Sequence, residues 1–273
     1  MKLKFLGLIL VNCFMFLSAH SQESEKKIKT ISNAEYSPSR SGNLTIEEAL
    51  RSKQSSYQTF DENENLIKYQ EFNPSTKEIY RTYKYLNYKS KIATLINTFN
   101  EEGELTGYTN QIVNSKNSID TSYSFSPNDK ITGVQIYYYD SSGNMTSRID
   151  SSLTYERTLK WEYEFNDNKE MTKRIAYDKE GNLRDTRTYK YNTKSEEFES
   201  DLTRANGDFT LFKTEYNEFG DLTDNTWYDK EGVKKNHTEF EYEYDKFGNW
   251  ITKKRFRDGE VNYIWVREIE YHK

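Results

Sequence analysis

Cysteine is almost missing from this chain. Its 273 residues include one, Cys13, inside an apolar N-terminal run. No disulfide framework and no thiol nucleophile is therefore available to the body of the protein. Proline is nearly as scarce, with Pro38, Pro74 and Pro127. The twelve glycines all stand singly, so no phosphate-cradling loop precedes a helix. Beyond the N-terminal run, His237 and His272 are the remaining histidines. Neither has a second His, a Cys or a spaced carboxylate set beside it in sequence, so no zinc pattern arises and no metal is expected. No Gly-x-Ser-x-Gly elbow is present. His237 reads as a solvated strand residue, and His272 lies one residue from the end. Catalytic residues: none. Cofactors: none.

Long apolar runs are also lacking, with one exception. Lys2 and Lys4 precede an apolar stretch from Phe5 to Leu17, and Ala19-His20-Ser21 offers small residues where a signal peptidase reads. The stretch is too short for a comfortable spanning helix. Residues 1–21 are expected to be a signal peptide cleaved near Ser21, and the chain to be exported to the periplasm, cell surface or medium. Cys13 raises lipidation as an alternative, but Asn12 before it is not the small residue such a site wants. Cleavage removes two lysines and takes the net charge from −5 to −7. The mature chain is expected to have no transmembrane segment. A mildly acidic chain with scattered lysines excludes a concentrated nucleic-acid face.

What the chain does have is aromatic residues in alternation. Tyrosine, at 23, far outnumbers methionine, at 4. A mean hydropathy of −1.02 points toward disorder, but 15% aromatic content points away from it. Trp161, Tyr163 and Phe165 take one face of a segment while Glu162 and Glu164 take the other. Tyr83 and Tyr85 flank Lys84, and Tyr189 and Tyr191 flank Lys190. Period two of this kind marks antiparallel strands with one sheltered side. Residues 22–44 are polar and read as a flexible leader. Thr45-Ile-Glu-Glu48 resembles a capping box, placing one short helix over 46–53 within residues 45–56. Residues 57–273 then read as a single β-domain.

A turn unit repeats through that domain. Asp245-Lys-Phe-Gly248-Asn249 puts an Asp where it can bond its own backbone and a Gly where positive φ is needed, the pattern of a type I turn closed by a glycine bulge. Tyr244 should then face Trp250, and Glu241 should face Lys253. Similar units are Phe99-Asn-Glu-Glu-Gly103, Tyr139-Asp140-Ser-Ser-Gly143, Tyr177-Asp178-Lys-Glu-Gly181, Tyr216-Asn-Glu-Phe-Gly220 and Tyr228-Asp229-Lys-Glu-Gly232. Each of these aspartates can serve as a turn cap, and one Asp per turn is too few for a calcium loop. Fading copies begin at Phe60, Phe72, Phe125, Phe165, Tyr191 and Phe256. The spacing suits one short strand plus one turn. The expected fold is all-β: a repetitive antiparallel meander of hairpins in an open twisted, curled or two-layer sheet, with one N-terminal helix.

Tyr242-Glu-Tyr244-Asp245-Lys-Phe-Gly248-Asn249-Trp250 and Tyr177-Asp178-Lys-Glu-Gly181-Asn182-Leu183 resemble the YD repeats of Rhs-type proteins. The resemblance runs roughly from Phe60 to Tyr271. In large Rhs relatives such repeats build a shell around a toxin domain. This chain is too short to enclose one and lacks an Asp-Pro-x-Gly self-cleavage signature. The resemblance implies β architecture and no particular activity.

Two aromatic groups stand out as candidate binding residues. Tyr137, Tyr138 and Tyr139 are consecutive, so their rings point to both faces of a strand. Tyr263, Trp265 and Tyr271 share a strand with Ile264 and Val266, which is apolar on both faces. Exposed aromatics of this kind suit an envelope glycan or a protein partner. The sequence therefore reads as an exported, non-enzymatic repeat protein offering a structural or binding surface at the cell envelope. Two alternatives are an enzyme acting on an envelope polymer through two carboxylates and an outer-membrane β-barrel. Against the barrel stand a Tyr-rich apolar face and closely spaced turns.

Overall fold

A side-chain oxygen at the first turn position can bind backbone amides two and four residues on, and so shape the turn locally. The computed structural model describes residues 26–37, 54–73, 75–194 and 196–272. In it, Asp245 Oδ1 accepts the N–H groups of Phe247 at 2.9 Å and Asn249 at 3.0 Å. The Gly248 N–H donates to the Asp245 carbonyl at 3.1 Å, and the Asp245 N–H donates to the Asn249 carbonyl at 2.9 Å. The same two backbone bonds close Asn100–Glu104, Asp140–Asn144, Asp178–Asn182, Asn217–Asp221 and Asp229–Val233. Where glycine is missing, Glu64, Asn117, Asp129 and Lys169 take the left-handed position themselves.

Gly248 has φ +80°, and a Cβ there would meet only the Phe219 ring, at 3.8 Å. Any cost of substitution is thus backbone strain, not crowding. Gly248→Val is expected to destabilise the fold by about 1–3 kcal/mol. A denaturation midpoint equal to that of the parent would show that this turn is not under left-handed constraint.

The turns separate eighteen strands. The first six are β1 (Ile28–Tyr36), β2 (Gln54–Phe60), β3 (Leu66–Phe72), β4 (Ile79–Lys89), β5 (Ile92–Phe99) and β6 (Leu105–Val113). The next six are β7 (Ile119–Phe125), β8 (Ile131–Tyr139), β9 (Met145–Ser152), β10 (Arg157–Phe165), β11 (Met171–Tyr177) and β12 (Leu183–Tyr191). The last six are β13 (Glu197–Arg204), β14 (Phe209–Tyr216), β15 (Leu222–Tyr228), β16 (Lys234–Tyr244), β17 (Trp250–Arg257) and β18 (Glu260–Tyr271).

Each strand pairs antiparallel with the next, and β1 pairs with β18 as well as β2. The seam aligns Ile31 with Ile269, Ala34 with Val266 and Tyr36 with Ile264. The sheet is therefore a closed barrel, and every strand has two partners. Closure removes the edges on which other chains would pair.

Two expectations are corrected here. The open, curled or two-layer meander is replaced by a ring of eighteen strands. The stretch expected to be a flexible leader contributes β1, whose backbone groups are taken up by β2 and β18. No helix occurs among the described residues, and the expected helix over 46–53 lies outside them.

The hairpin register is also corrected. Tyr244 does pair with Trp250, but Glu243 pairs with Thr252, which leaves Ile251 as an extra residue in a β-bulge. Glu241 consequently faces Lys254, and Lys253 faces Tyr242. The same one-residue shift follows the turns at Phe60, Phe72, Phe99, Phe125, Tyr139, Phe165, Tyr177, Tyr191, Tyr216 and Tyr228. A bulge moves all later side chains by one position, so a charge read as outward turns inward.

Conventional core is sparse. Among the described residues eight apolar ones are buried: Ile31, Ala34, Tyr36, Ala93, Tyr137, Ala176, Ile264 and Val266. Tyr36, Ile264 and Val266 cluster at the seam with Val261 packed against them. Elsewhere each strand packs chiefly against its two ring neighbours, so the wall is a single layer. It is held by backbone ladders and by cross-strand pairs worth roughly 0.2–1 kcal/mol each.

Candidate functional site: the inner wall of the barrel

A single-layer wall curved into a ring crowds the side chains on its concave side, so the more sheltered face is the inner one. Arg148, Asp150, Arg174 and Asp185 keep 21–31% of their side-chain surface in their ion pairs. On the other face Glu164, Lys190 and Glu243 keep 59–63%, while their partners Lys173, Glu199 and Lys254 keep 21–35%. These Arg–Asp pairs and the rings beside them, Trp161 and Tyr163 among them, thus line the interior, and the Lys–Glu pairs lie outside.

The inner wall is a ladder of guanidinium groups, carboxylates and rings. Arg148 Nε lies 2.9 Å from Asp150 Oδ1, with the guanidinium 4.5 Å from the centre of the Trp161 ring. Arg174 Nη2 donates to Asp185 Oδ1 at 2.8 Å. Arg187 Nη2 donates to Ser200 Oγ at 2.8 Å and to Glu197 Oε1 at 3.3 Å, and it lies over Tyr189 and Phe212 at 5.1 and 5.0 Å. Arg81 faces Glu71 at 3.9 Å. Planar guanidinium groups suit this work because they stack on rings while donating in plane.

The ladder ends on β17 and β18. Lys253 Nζ lies over the rings of Phe240, Tyr242 and Trp265 at 4.5, 5.2 and 5.3 Å. Arg255 lies over Tyr263 and Trp265 at 5.1 and 5.7 Å, with its Nε donating to Asn262 Oδ1 at 2.8 Å. Arg267 sits 3.3 Å from the centre of the Trp250 ring, and its Nε donates to Asn33 Oδ1 at 3.1 Å.

The two aromatic groups singled out in the sequence do not meet. Tyr137 to Tyr139 close β8, while Tyr263, Trp265 and Tyr271 belong to β18, far round the ring. Tyr137 is buried and donates to Gln135 Oε1 at 2.9 Å. Tyr138 points outward and is 46% exposed. The Tyr139 hydroxyl donates to the Ile119 carbonyl at 2.8 Å. Tyr263 and Trp265 pack ring to ring at 4.4 Å, and the Tyr263 hydroxyl donates to Glu35 Oε2 at 2.5 Å. The Tyr271 hydroxyl donates to the Asp245 carboxylate and accepts from Asn249 Nδ2 at 2.8 Å, tying the last strand to a turn.

The turn aspartates act on their own loops. The Asn144 backbone amide holds Asp140 below the usual carboxylate range, and the Asn182 side-chain amide does the same for Asp178. For Asp229 the first cause is the Lys235 ammonium, at 2.7 Å. Gly143, Gly181, Gly220, Gly232 and Gly248 all have positive φ.

One cluster lay outside the sequence reading. His237 Nε2 is hydrogen-bonded to the Asp224 carboxylate on the next strand and lies 4.0 Å from Glu239 Oε1. The three ligand atoms fall within 4.8 Å of one another on the outer wall. The cluster borders a 370 Å³ hollow lined by Glu215, Thr223, Asp224, Glu239, Phe240, Glu241, Phe256 and Gly259. Asp224 is thirteen residues from His237 in sequence, so adjacency came from strand pairing. The inner ladder was missed for a related reason, since Arg174–Asp185 and Arg187–Glu197 are likewise cross-strand pairs.

No known protein family and no curated protein matches this chain. Among solved structures it is similar to a porin-like protein from Bacteroides uniformis ATCC 8492. Identity there is 9%, 89% of this chain and 98% of that one are covered, and the TM-score is 0.46. A porin-like protein from Bacteroides vulgatus ATCC 8482 is 10% identical over 90% of this chain and 99% of that one, with a TM-score of 0.31. The Photorhabdus luminescens Tc holotoxin pore matches over 78% of this chain but 14% of that one, at 9% identity and a TM-score of 0.33. At these values the likenesses carry no argument about activity.

The resemblance to Rhs YD repeats is corrected on the same grounds. The Tyr-Asp turn units do not form a section of an open shell; they close into a complete barrel of their own. The reading of the chain as a repeat protein offering a structural or binding surface at the cell envelope is corrected with it, because the strands close into an eighteen-strand barrel.

Proposed function

We propose that this chain is a porin-like outer-membrane β-barrel, exported through its N-terminal signal and enclosing a polar lumen for small hydrophilic solutes. The observation that carries the proposal is the closed ring of eighteen antiparallel strands with ion pairs and aromatic rings on its inner face. Rings of this size leave a water-filled interior. On β5 to β9 the outer wall is compatible with hydrocarbon. Leu95, Phe99, Ile112, Phe125, Val134, Ile136 and Ile149 fall there by register.

A second reading rests on the opposite sector. From β10 to β17 the outer wall carries Lys160, Glu162, Lys173, Lys190, Glu199, Glu241 and Lys254. A lysine facing lipid costs about 2–4 kcal/mol at the midplane. This sector favours a water-soluble exported barrel that receives solutes in the same lumen without crossing lipid. Both readings place the chain outside the cytoplasm.

Fractionation of cells expressing the full chain separates the two. The membrane reading expects the protein in the outer-membrane fraction, released only by detergent, and conducting ions after reconstitution into a planar bilayer. Recovery in the soluble fraction without detergent removes the membrane reading and leaves the second.

A further inference from the structure

The cations of the inner wall differ in what they face, and Arg204, Arg257 and Arg267 share that wall with the six compared below. Arg81, Arg148, Arg174 and Arg187 each face a carboxylate. Lys253 and Arg255 have no ion pair among the described residues. They are neighbours on the inner face of β17, and each is braced by rings and not by an acid. On the seam side, Glu35 on β1 accepts the Tyr263 hydroxyl. Asp221 accepts the Tyr244 hydroxyl at 2.7 Å and is the acid whose charge reaches Lys253, from beyond ion-pair distance. Asn262 supplies Arg255 with a neutral acceptor. The outer-face acids Glu239, Glu241 and Glu243 lie across the wall, where Lys254 meets Glu243 at 3.6 Å.

Rings attract a cation while leaving its charge uncompensated. Two such cations side by side in a sheltered lumen focus a positive field on the solution inside it. We propose that Lys253 and Arg255 form an anion-binding station on the lumen wall, receiving small solutes that carry a carboxylate or phosphate group. Arg255 presents its remaining N–H donors as a fork, and Lys253 adds a point charge beside it. Trp265, which lies under both cations, makes the station visible by fluorescence. This inference rests on the aqueous lumen proposed above and not on the lipid setting.

The test is collisional quenching of tryptophan fluorescence in the folded full chain, with iodide as the anionic probe and caesium as the cationic one. With each ion's quenching constant taken relative to its value for a free tryptophan analogue, iodide is expected to quench at least about threefold better than caesium, as a cationic lumen concentrates anions. In Lys253→Gln/Arg255→Gln the preference should collapse, while Lys253→Arg should retain it. Inorganic phosphate or acetate should relieve iodide quenching in the parent chain, and the one acting at the lower concentration identifies the preferred group. Equal quenching by the two ions overturns the station, as does an iodide preference that survives both substitutions in a folded protein. If the double variant does not fold, Lys253→Gln alone carries the comparison. Quenching needs a folded barrel but no membrane. A chain that fails to conduct yet prefers iodide keeps the station and loses the pore, and a conducting chain without that preference does the reverse.

Discussion

Deleting β1 (Ile28–Tyr36) is expected to abolish the cooperative unfolding transition altogether, a loss of the whole ~5–15 kcal/mol typical of a folded domain. Among the described residues, this strand is the element that pairs with both β2 and β18. Without it, two long edges expose their N–H and C=O groups to water or to other chains. The seam cluster of Tyr36, Ile264 and Val266 would lose its aromatic member. Ile31, 3% exposed, would go as well. The deleted chain should aggregate on refolding and give no sharp melting transition by far-UV circular dichroism. A deletion variant that melts as cooperatively as the parent would mean that the ring is not the unit of stability.

Gly107→Ala is expected to be the most damaging single methyl addition in the wall, costing about 1–3 kcal/mol. A Cβ at Gly107 on β6 would stand 2.6 Å from the Phe125 carbonyl oxygen of β7. That atom is backbone and cannot swing aside. Relief requires moving the strand, and the strand is held by Tyr108 stacked on Phe125 with ring centres 4.7 Å apart. Gly133→Ala provides the comparison, because its Cβ would approach the Ser151 carbonyl oxygen only to 3.2 Å. The melting temperature should therefore fall much further for Gly107→Ala than for Gly133→Ala. Equal shifts would show that the β6–β7 contact is looser than this geometry requires.

Local chemistry alone determined a large part of this protein. Alternation of rings with charges, as in Trp161-Glu162-Tyr163-Glu164-Phe165, is enough to specify strands. Asp or Asn followed by Gly three residues later specifies the turns, because both partners of the key hydrogen bonds lie within five residues. Tyr244 opposite Trp250 follows from that turn alone. The fate of Lys253 does not. One extra residue at Ile251 carries it from the face of Glu241 to the face of Tyr242, and nothing in its own neighbourhood announces the bulge. The cross-strand partners of the inner wall depend on the same offset, repeated round the ring.

Closure was decided by tertiary structure for a different reason. Polar residues 28–36 give a weak strand signal on their own, since their apolar partners lie some 230 residues away in Ile264, Val266 and Ile269. A strand of modest local preference is stabilised there because both of its edges are paired at once. Closure in turn decides which face is inside, and therefore whether arginines and rings decorate a surface or line a lumen.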